Sequence, residues 1–246
     1  MFFDDRLLFL HVPKAAGMSI TQWLVEHAKP GAVVTGPPST APQTMLGRVR
    51  RSAKTALQAM GLRPGGRARR VEGRRHATLT EAREDLAAFG RRLEDFERIV
   101  AVMRNPYHLE ISYYNHLRSG RAVTRSGPAF SLAQAGDFAG FAERAPFFGR
   151  LPARIEDWYA IDGNIPANLA MVRFEHLAAE IGAALGMADR VSLPTLNASG
   201  QAPGRNFLTA QSEAAVYRKF RWLFDRGFYR RETEFTDSSR ISADLS

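Results

Sequence analysis

The chain of 246 residues contains no cysteine, which excludes disulfides, thiolate metal sites and cysteine nucleophiles. No uninterrupted apolar run approaches the length needed to cross a bilayer. The first residues also lack the basic start of a secretory signal, since Asp4 and Asp5 stand there and Pro13 and Lys14 interrupt the apolar stretch that follows. These absences predict a soluble, cytoplasmic protein with no transmembrane segment.

Acidic residues are fewer than basic ones, 25 against 34, and the formal net charge is +9. Much of the excess lies in Arg48–Arg75, where ten Lys and Arg face a single acid, Glu72. A basic surface favours anionic partners such as a phosphorylated cofactor or an acidic glycan or lipid. Aromatic residues are missing from the same stretch, so nucleic-acid binding by base stacking is not expected. The stretch is either a solvated, mobile insertion or part of a substrate site, and both interpretations stay open.

Three units in the sequence combine a short apolar strand with a following helix. The predicted strands are Arg6–His11, Arg98–Met103 and Leu169–Phe174, and the predicted helices are Ser19–His27, Tyr107–Leu117 and Leu177–Leu185, the last ending at Gly186. This alternation predicts an α/β fold with a central parallel sheet flanked by helices. Ligands of such sheets bind beyond the carboxyl ends of the strands, where Lys14 and Arg104 both fall.

The three units belong to one expected domain, residues 1–232, which is followed by a flexible polar tail, 233–246. Insertions are expected at about 31–75, with Gly/Pro-rich loops at Gly31–Pro42 and Arg63–Gly73, and at 119–150, which should be helical. Thr78 and Glu81 form a predicted capping box for a helix reaching about Phe89. A C-terminal helix is predicted from the helical spacing of four apolar residues: Val216, Phe220, Leu223 and Phe224.

The most informative segment is the loop between the first strand and the first helix. It reads Lys14-Ala15-Ala16-Gly17-Met18-Ser19. A tight loop of small residues that leads into a helix directs its amides and the positive helix end at one point, and a lysine adds a full charge there. The loop therefore predicts a phosphate site. It is not a Walker A loop, because Lys14 precedes Gly17 and the pattern GxxxxGK[ST] is absent.

A second motif follows the strand at Arg98–Met103. Arg104 comes directly after it, and Ser112 lies eight residues later on the next helix. An arginine at a strand end can bind a phosphate through two nitrogens, and a hydroxyl two turns into the helix can reach the same group. The motif therefore predicts a second phosphate contact.

Together these motifs resemble those of the PAPS-dependent sulfotransferases, especially the branch with the heparan sulfate 2-O-sulfotransferases and their bacterial relatives. PAPS is 3′-phosphoadenosine 5′-phosphosulfate. The resemblance implies a P-loop-like fold and no metal, with residues 14–19 on the 5′ end and Arg104 and Ser112 on the 3′-phosphate. It also implies that Lys14 stabilises the leaving phosphate while the sulfuryl group moves to an acceptor hydroxyl. One departure is Met18, which replaces a common Thr or Ser.

Two later segments extend the resemblance. The run Met171–Leu177 is similar to a segment of the family that is chiefly structural. The late loop around Pro203–Phe207 resembles one that folds over the nucleotide, which makes Arg205 a further candidate for phosphate contact. By the resemblance, adenosine 3′,5′-bisphosphate is the product.

His76 is the preferred general base. It stands between the two phosphate motifs and just before the helix at Thr78, where the helix end and Arg74 and Arg75 should lower its pKa. A neutral imidazole can take the proton of an acceptor hydroxyl near pH 7. The relatives with a histidine base carry it in this interval. The alternative bases are His11, Glu81 and Asp85.

Two other functions remain open beside the sulfotransferase. One is a nucleotide-dependent phosphotransferase, although neither a Walker lysine nor an acidic metal cluster is evident. The other is a non-enzymatic polyanion-binding protein built on Arg48–Arg75. Neither the acceptor, which can be a glycan, a lipid head group or a small metabolite, nor the oligomeric state follows from the residues.

Overall fold

A computed structural model describes residues 1–37, 68–119, 126–149, 154–187, 191–194 and 207–232. Within these ranges the fold is α/β, with one mixed six-stranded sheet and eight α-helices. The strands are β1 (Phe2–Phe3), β2 (Leu7–Leu10), β3 (Val33–Gly36), β4 (Arg69–Glu72), β5 (Arg98–Met103) and β6 (Leu169–Arg173). The helices are α1 (Gly17–Glu26), α2 (Leu79–Ala87), α3 (Pro106–Arg118), α4 (Pro128–Gln134), α5 (Phe138–Arg144), α6 (Leu177–Ala184), α7 (Ala210–Lys219) and α8 (Arg221–Asp225).

The sheet has the order β4-β3-β1-β2-β5-β6. β2, β5 and β6 pair in parallel, as do β3 and β4, whereas β1 runs antiparallel to both β2 and β3. The expectation of an entirely parallel sheet was therefore wrong at β1. This two-residue strand forms a hairpin with β2 because the Asp4 carboxylate accepts hydrogen bonds from the amides of Arg6 and Leu7 at 2.9 and 2.8 Å.

Five strands thus point the same way, and their carboxyl ends meet at one edge of the sheet. Lys14 follows β2, Arg104 follows β5, and Phe174 and Glu175 follow β6. Residues 74–76 come shortly after β4 and reach this edge as well. The topology therefore brings Lys14, Arg104 and residues 74–76 to the edge of the sheet at which ligands of α/β folds bind.

The three predicted strand-helix units are confirmed, with ends that differ by one or two residues. Their strands are apolar and, in β2 and β5, buried almost throughout, as a central strand covered on both faces requires. Gly186 ends α6 with a left-handed backbone, φ 71°. The capping box of α2 is also confirmed, since Thr78 accepts from the Glu81 amide and the Glu81 carboxylate accepts from the Thr78 amide.

Gly31–Pro42 and Arg63–Gly73 were predicted to be loops, and this was wrong where β3 and β4 form. β4 carries Arg69, Arg70 and Glu72 and lies at the sheet edge, so its sequence lacks the apolar signal of a buried strand. In the described part of the range 119–150, the helical prediction is confirmed by α4 and α5. The tail at 233–246 falls outside the described residues.

The helices α3, α4, α5 and α7 pack on one another, and the contact between α3 and α5 is aromatic, with Tyr113 and Tyr114 against Phe138 and Phe141. The predicted C-terminal helix is divided at Phe220 into α7 and α8, and its four apolar residues are buried as expected. None of the helices in the described part of the chain is long and apolar enough to cross a membrane.

Candidate functional site

The loop between β2 and α1 is held in an unusual backbone conformation. Lys14 and Ala16 both have left-handed angles, φ 60° and 57°, which side chains seldom adopt. A Cβ at Gly17 would lie only 1.9 Å from the ring of His11, so no larger residue fits there. His11 itself is 4% exposed. The buried histidine under Gly17 thus supports the turn that brings the backbone into α1.

The start of α1 differs from the starts of the two helices beside it. Ala16 provides no side-chain cap and the first turn of α1 contains no acidic residue. In contrast, Thr78 caps α2 and the Asn105 side chain accepts from the Tyr107 amide to cap α3, at 3.0 Å. The first amides of α1 lack intrahelical acceptors, and they carry the positive end of the helix dipole. This helix start suits an anion.

Arg104 lies beside this loop. Its Nη1 donates to the carbonyl oxygen of Lys14 at 2.9 Å, and its guanidinium lies 4.3 Å from the ring centre of Phe174. The side chain is largely buried, and its Nε is buried without a hydrogen-bond partner among the described residues. A buried donor without a partner is costly, and an anion beside the guanidinium would offset that cost by pairing with its charge.

The face of α3 that is directed at Arg104 carries His108 and Ser112. Burial lowers the pKa of His108, and the nearby charge of Arg104 lowers it further. Ser112 is four residues later, hence on the same face one turn along the helix. Ser112 is partly buried. The arginine and the serine of the second motif therefore share one side of the site.

His76 contacts the base of the same loop. Its Nδ1 lies 3.0 Å from the carbonyl oxygen of His11, and since a carbonyl only accepts, this nitrogen carries the proton. The neutral ring then has its lone pair at Nε2. The rings of His76 and His11 meet edge to face with centres 4.4 Å apart. Burial, and then the neighbouring His76, hold the pKa of His11 well below its usual range.

Phe148 covers the other side of His76, with ring centres 5.3 Å apart, and lies 5.0 Å from Tyr113. Its backbone is left-handed, φ 50° and ψ 31°, which is a rare conformation for a bulky residue. Burial, and to a lesser extent Glu110, raise the pKa of Tyr113 to about 12, so its hydroxyl stays protonated. No signal in the sequence marks Phe148 as part of this site.

The two carboxylate alternatives for the base have structural partners. Glu81 completes the capping box of α2, and it lies 3.8 Å from Arg74, which also meets Asp85 at 3.6 Å. Arg74 donates to Glu84 at 2.9 Å as well. Arg74 therefore faces the acids of α2, which balance much of the positive charge that was expected to act on His76.

The structure brings most of the predicted site residues together at the carboxyl edge of the sheet. Lys14 and Arg104 are in contact, Ala15 is buried, and Ser19 lies in the first turn of α1. Met18 is 43% exposed beside them. Arg205 lies outside the described residues. Two further residues were missed, Phe174 under Arg104 and Glu175, which accepts from the Asn105 amide at 2.8 Å.

Comparisons with known proteins identify no family for this chain. No protein-family model matches the chain, and no curated protein matches it. Among the described residues, no group of three or more histidine, aspartate or glutamate side chains could hold a metal ion.

Proposed function

We propose that this protein is a PAPS-dependent sulfotransferase with a P-loop-like fold, which moves a sulfuryl group onto an acceptor hydroxyl. The observation that carries the proposal is the contact between the two phosphate motifs. The Arg104 guanidinium, buried and with one donor unused by the described residues, lies against the Lys14 carbonyl. One bisphosphorylated nucleotide can then engage both motifs.

The Arg104 side of the site suits the 3′-phosphate. Phe174 and the Lys14 carbonyl hold the guanidinium in place, so its charge is positioned before a ligand arrives. Charge-assisted hydrogen bonds from arginine to phosphate are strong and directional. Ser112, one turn beyond His108 on the same helix face, would add a hydroxyl to this phosphate.

The α1 side of the site suits the 5′ end. The amides of Gly17, Met18 and Ser19 lie in the uncapped first turn, and Lys14 stands at the entrance of the loop. Bound PAPS supplies the activated sulfuryl group. The ammonium of Lys14 would neutralise the charge that develops on the phosphate oxygen as the sulfur leaves it.

His76 would act on the acceptor. Transfer forms a bond between the acceptor oxygen and sulfur and breaks the bond between sulfur and the bridging phosphate oxygen, so the hydroxyl proton needs a base. Donation from Nδ1 to the His11 carbonyl places the lone pair of the neutral ring on Nε2, the atom that would accept this proton. The fixed His11 carbonyl also orients the ring, because it allows only one tautomer.

Ligand binding tests the proposal directly. Adenosine 3′,5′-bisphosphate should stabilise the protein much more than 5′-AMP or ATP with Mg²⁺, since only the bisphosphate engages Arg104. At a hundred times its dissociation constant, a ligand of the folded state adds about 2.7 kcal/mol. For a chain of this length that corresponds to a rise of about 5–10 °C in melting temperature.

Arg104→Ala should abolish the difference between the bisphosphate and AMP. Arg118→Ala, at the exposed end of the same helix, is the matched control and should keep the difference. Equal melting shifts with the bisphosphate and AMP in the natural protein would refute the 3′-phosphate site. A larger shift with ATP and Mg²⁺ would favour a phosphotransferase instead.

A further inference from the structure

Residues 229–232, which we name the C-terminal clip, reach the turn that carries Arg104 through two separate chains of hydrogen bonds. Each chain passes through one carboxylate. Among the described residues, neither carboxylate forms a hydrogen bond with Arg104. Glu175 binds Asn105 and Glu213 binds Tyr107, one and three residues after the arginine.

The first chain begins at Tyr229. Its hydroxyl donates to Oε2 of Glu175 at 3.0 Å, and Oε1 of Glu175 accepts from the Asn105 amide at 2.8 Å. The guanidinium of Arg173 lies 5.6 Å from the Tyr229 ring centre. Burial, and then the charge of Glu175, raise the pKa of Tyr229, so its hydroxyl keeps the proton that it donates.

The second chain begins at Arg231. Its Nε and Nη2 donate to the two oxygens of Glu213 at 2.9 and 2.7 Å, and Oε1 of Glu213 also accepts from the Tyr107 hydroxyl at 2.8 Å. The amide of Glu232 donates to the same hydroxyl at 3.2 Å. Glu213 is only 3% exposed. The hydrogen bonds from Arg231 hold its pKa below the usual range, so the carboxylate stays ionised.

The two chains fix the amide of Asn105 and the ring of Tyr107, which stand one and three residues after Arg104. The backbone between β5 and α3 is thereby fastened at two points, so the clip determines the direction in which Arg104 leaves that backbone. Glu175 is also close enough to Arg104 for its charge to raise the pKa of the arginine against the lowering by burial. A change in the clip therefore reaches the arginine through the backbone geometry and through the position of Glu175.

We propose that the C-terminal clip is a positioning element for Arg104, and that Tyr229 and Arg231 set the preference of the site for a nucleotide with a 3′-phosphate. This proposal rests on the proposed function. Residues about 125 positions after Arg104 in the sequence would then control the contact of this arginine with the 3′-phosphate. The 5′ end of the nucleotide, held by residues 14–19, does not depend on the clip.

The test is the ratio of two dissociation constants, for 5′-AMP and for adenosine 3′,5′-bisphosphate, measured by calorimetry on the full chain. Tyr229→Phe removes the hydrogen bond from Tyr229 to Glu175, and Arg231→Gln removes the two hydrogen bonds from the Arg231 guanidinium to Glu213. Each should lower the ratio about threefold to tenfold, the range expected when a residue acts on a site through another. Affinity for AMP should change less than twofold. A role in stability alone would lower the melting temperature and leave the ratio unchanged.

The matched control is Arg221→Gln. The Arg221 side chain binds Asp225 at 2.8 Å on an exposed surface of the same region, and this variant should keep the natural ratio. If the natural protein prefers the bisphosphate and neither clip variant lowers that preference, the clip proposal is wrong while the proposed function stands. If the natural protein shows no preference, the 3′-phosphate site is wrong and the clip proposal fails with it.

Discussion

Replacing Lys219 with methionine removes one partner of a buried ion pair between α3 and α7. Nζ of Lys219 lies 2.5 Å from Oε1 of Glu110, and the two side chains are 13% and 1% exposed. The second oxygen of Glu110 is buried with no hydrogen-bond partner among the described residues. Methionine retains the length and apolar contact of the lysine, so the perturbation is mainly the loss of the compensating charge.

The size of the effect follows from the protonation of Glu110. Burial raises the pKa of this carboxyl, and Lys219 opposes the rise. Without Lys219 the pKa rises further and the folded protein carries the neutral acid. Protonating a carboxyl with an ordinary pKa of about 4.3 requires about 3.7 kcal/mol at pH 7 and about 1 kcal/mol at pH 5. The first figure agrees with the roughly 3–5 kcal/mol measured when one partner of a buried pair is removed.

Because the raised pKa of Glu110 already costs the natural protein part of this energy, we expect Lys219→Met to lose at most about 3–4 kcal/mol of unfolding free energy at pH 7 and at most about 1 kcal/mol at pH 5. A raised folded-state pKa of an acid means that its stability is lost as pH rises above the unfolded value, which gives the sign. Urea titrations at the two pH values measure the loss. The control is Arg218→Met, which breaks the neighbouring exposed pair with Glu143 and should lose at most about 1 kcal/mol at either pH. An equal loss for Lys219→Met at both pH values would refute the reasoning.

Three further predictions concern the candidate site. Under the proposed function, Lys14→Ala should reduce sulfuryl transfer sharply while the circular dichroism spectrum stays unchanged, and a folded variant with normal turnover would remove Lys14 from the proposed mechanism. His76→Ala should lower turnover by on the order of a hundredfold or more with nucleotide affinity nearly unchanged, whereas the exposed His176→Ala should match the natural rate. Gly17→Ala should destabilise the protein by about 1–3 kcal/mol, since its new Cβ would lie 1.9 Å from the His11 ring, and His11→Ala in the same chain should recover part of that loss in thermal unfolding.

Much of the sheet could be predicted because its central strands are short apolar runs. Leu7–Leu10 and Arg98–Met103 are buried on both faces, and such strands can be recognised without knowing their neighbours. β4 could not be recognised in this way, because its residues Arg69–Glu72 are mostly exposed and polar. This strand is nevertheless the one that brings His76 to the carboxyl edge of the sheet.

The candidate site was predictable to the extent that strand ends determine it. Lys14 and Arg104 each follow a recognisable strand, and parallel strands bring them to one edge. The support around Arg104 was not predictable, since Glu175 meets Asn105 across 70 positions of sequence and Arg231 meets Glu213 across 18. Such contacts depend on how helices and loops pack, and no local periodicity of the sequence predicts them. The sequence does not predict the left-handed backbone of Phe148 either, because phenylalanine is not a residue that favours left-handed angles.

The left-handed residues place folding stability and function in opposition. Among the described residues, four that are not glycine have positive φ, and three of them, Lys14, Ala16 and Phe148, line the candidate site. Each such backbone is expected to cost about 1–3 kcal/mol that the surrounding packing must offset. Selection for thermal stability alone would therefore introduce glycine at these positions and, at Lys14 and Phe148, discard the ammonium and the ring over His76. Laboratory evolution of this protein for heat resistance should accept Ala16→Gly readily, and it should spare the other two only when catalysis is selected at the same time.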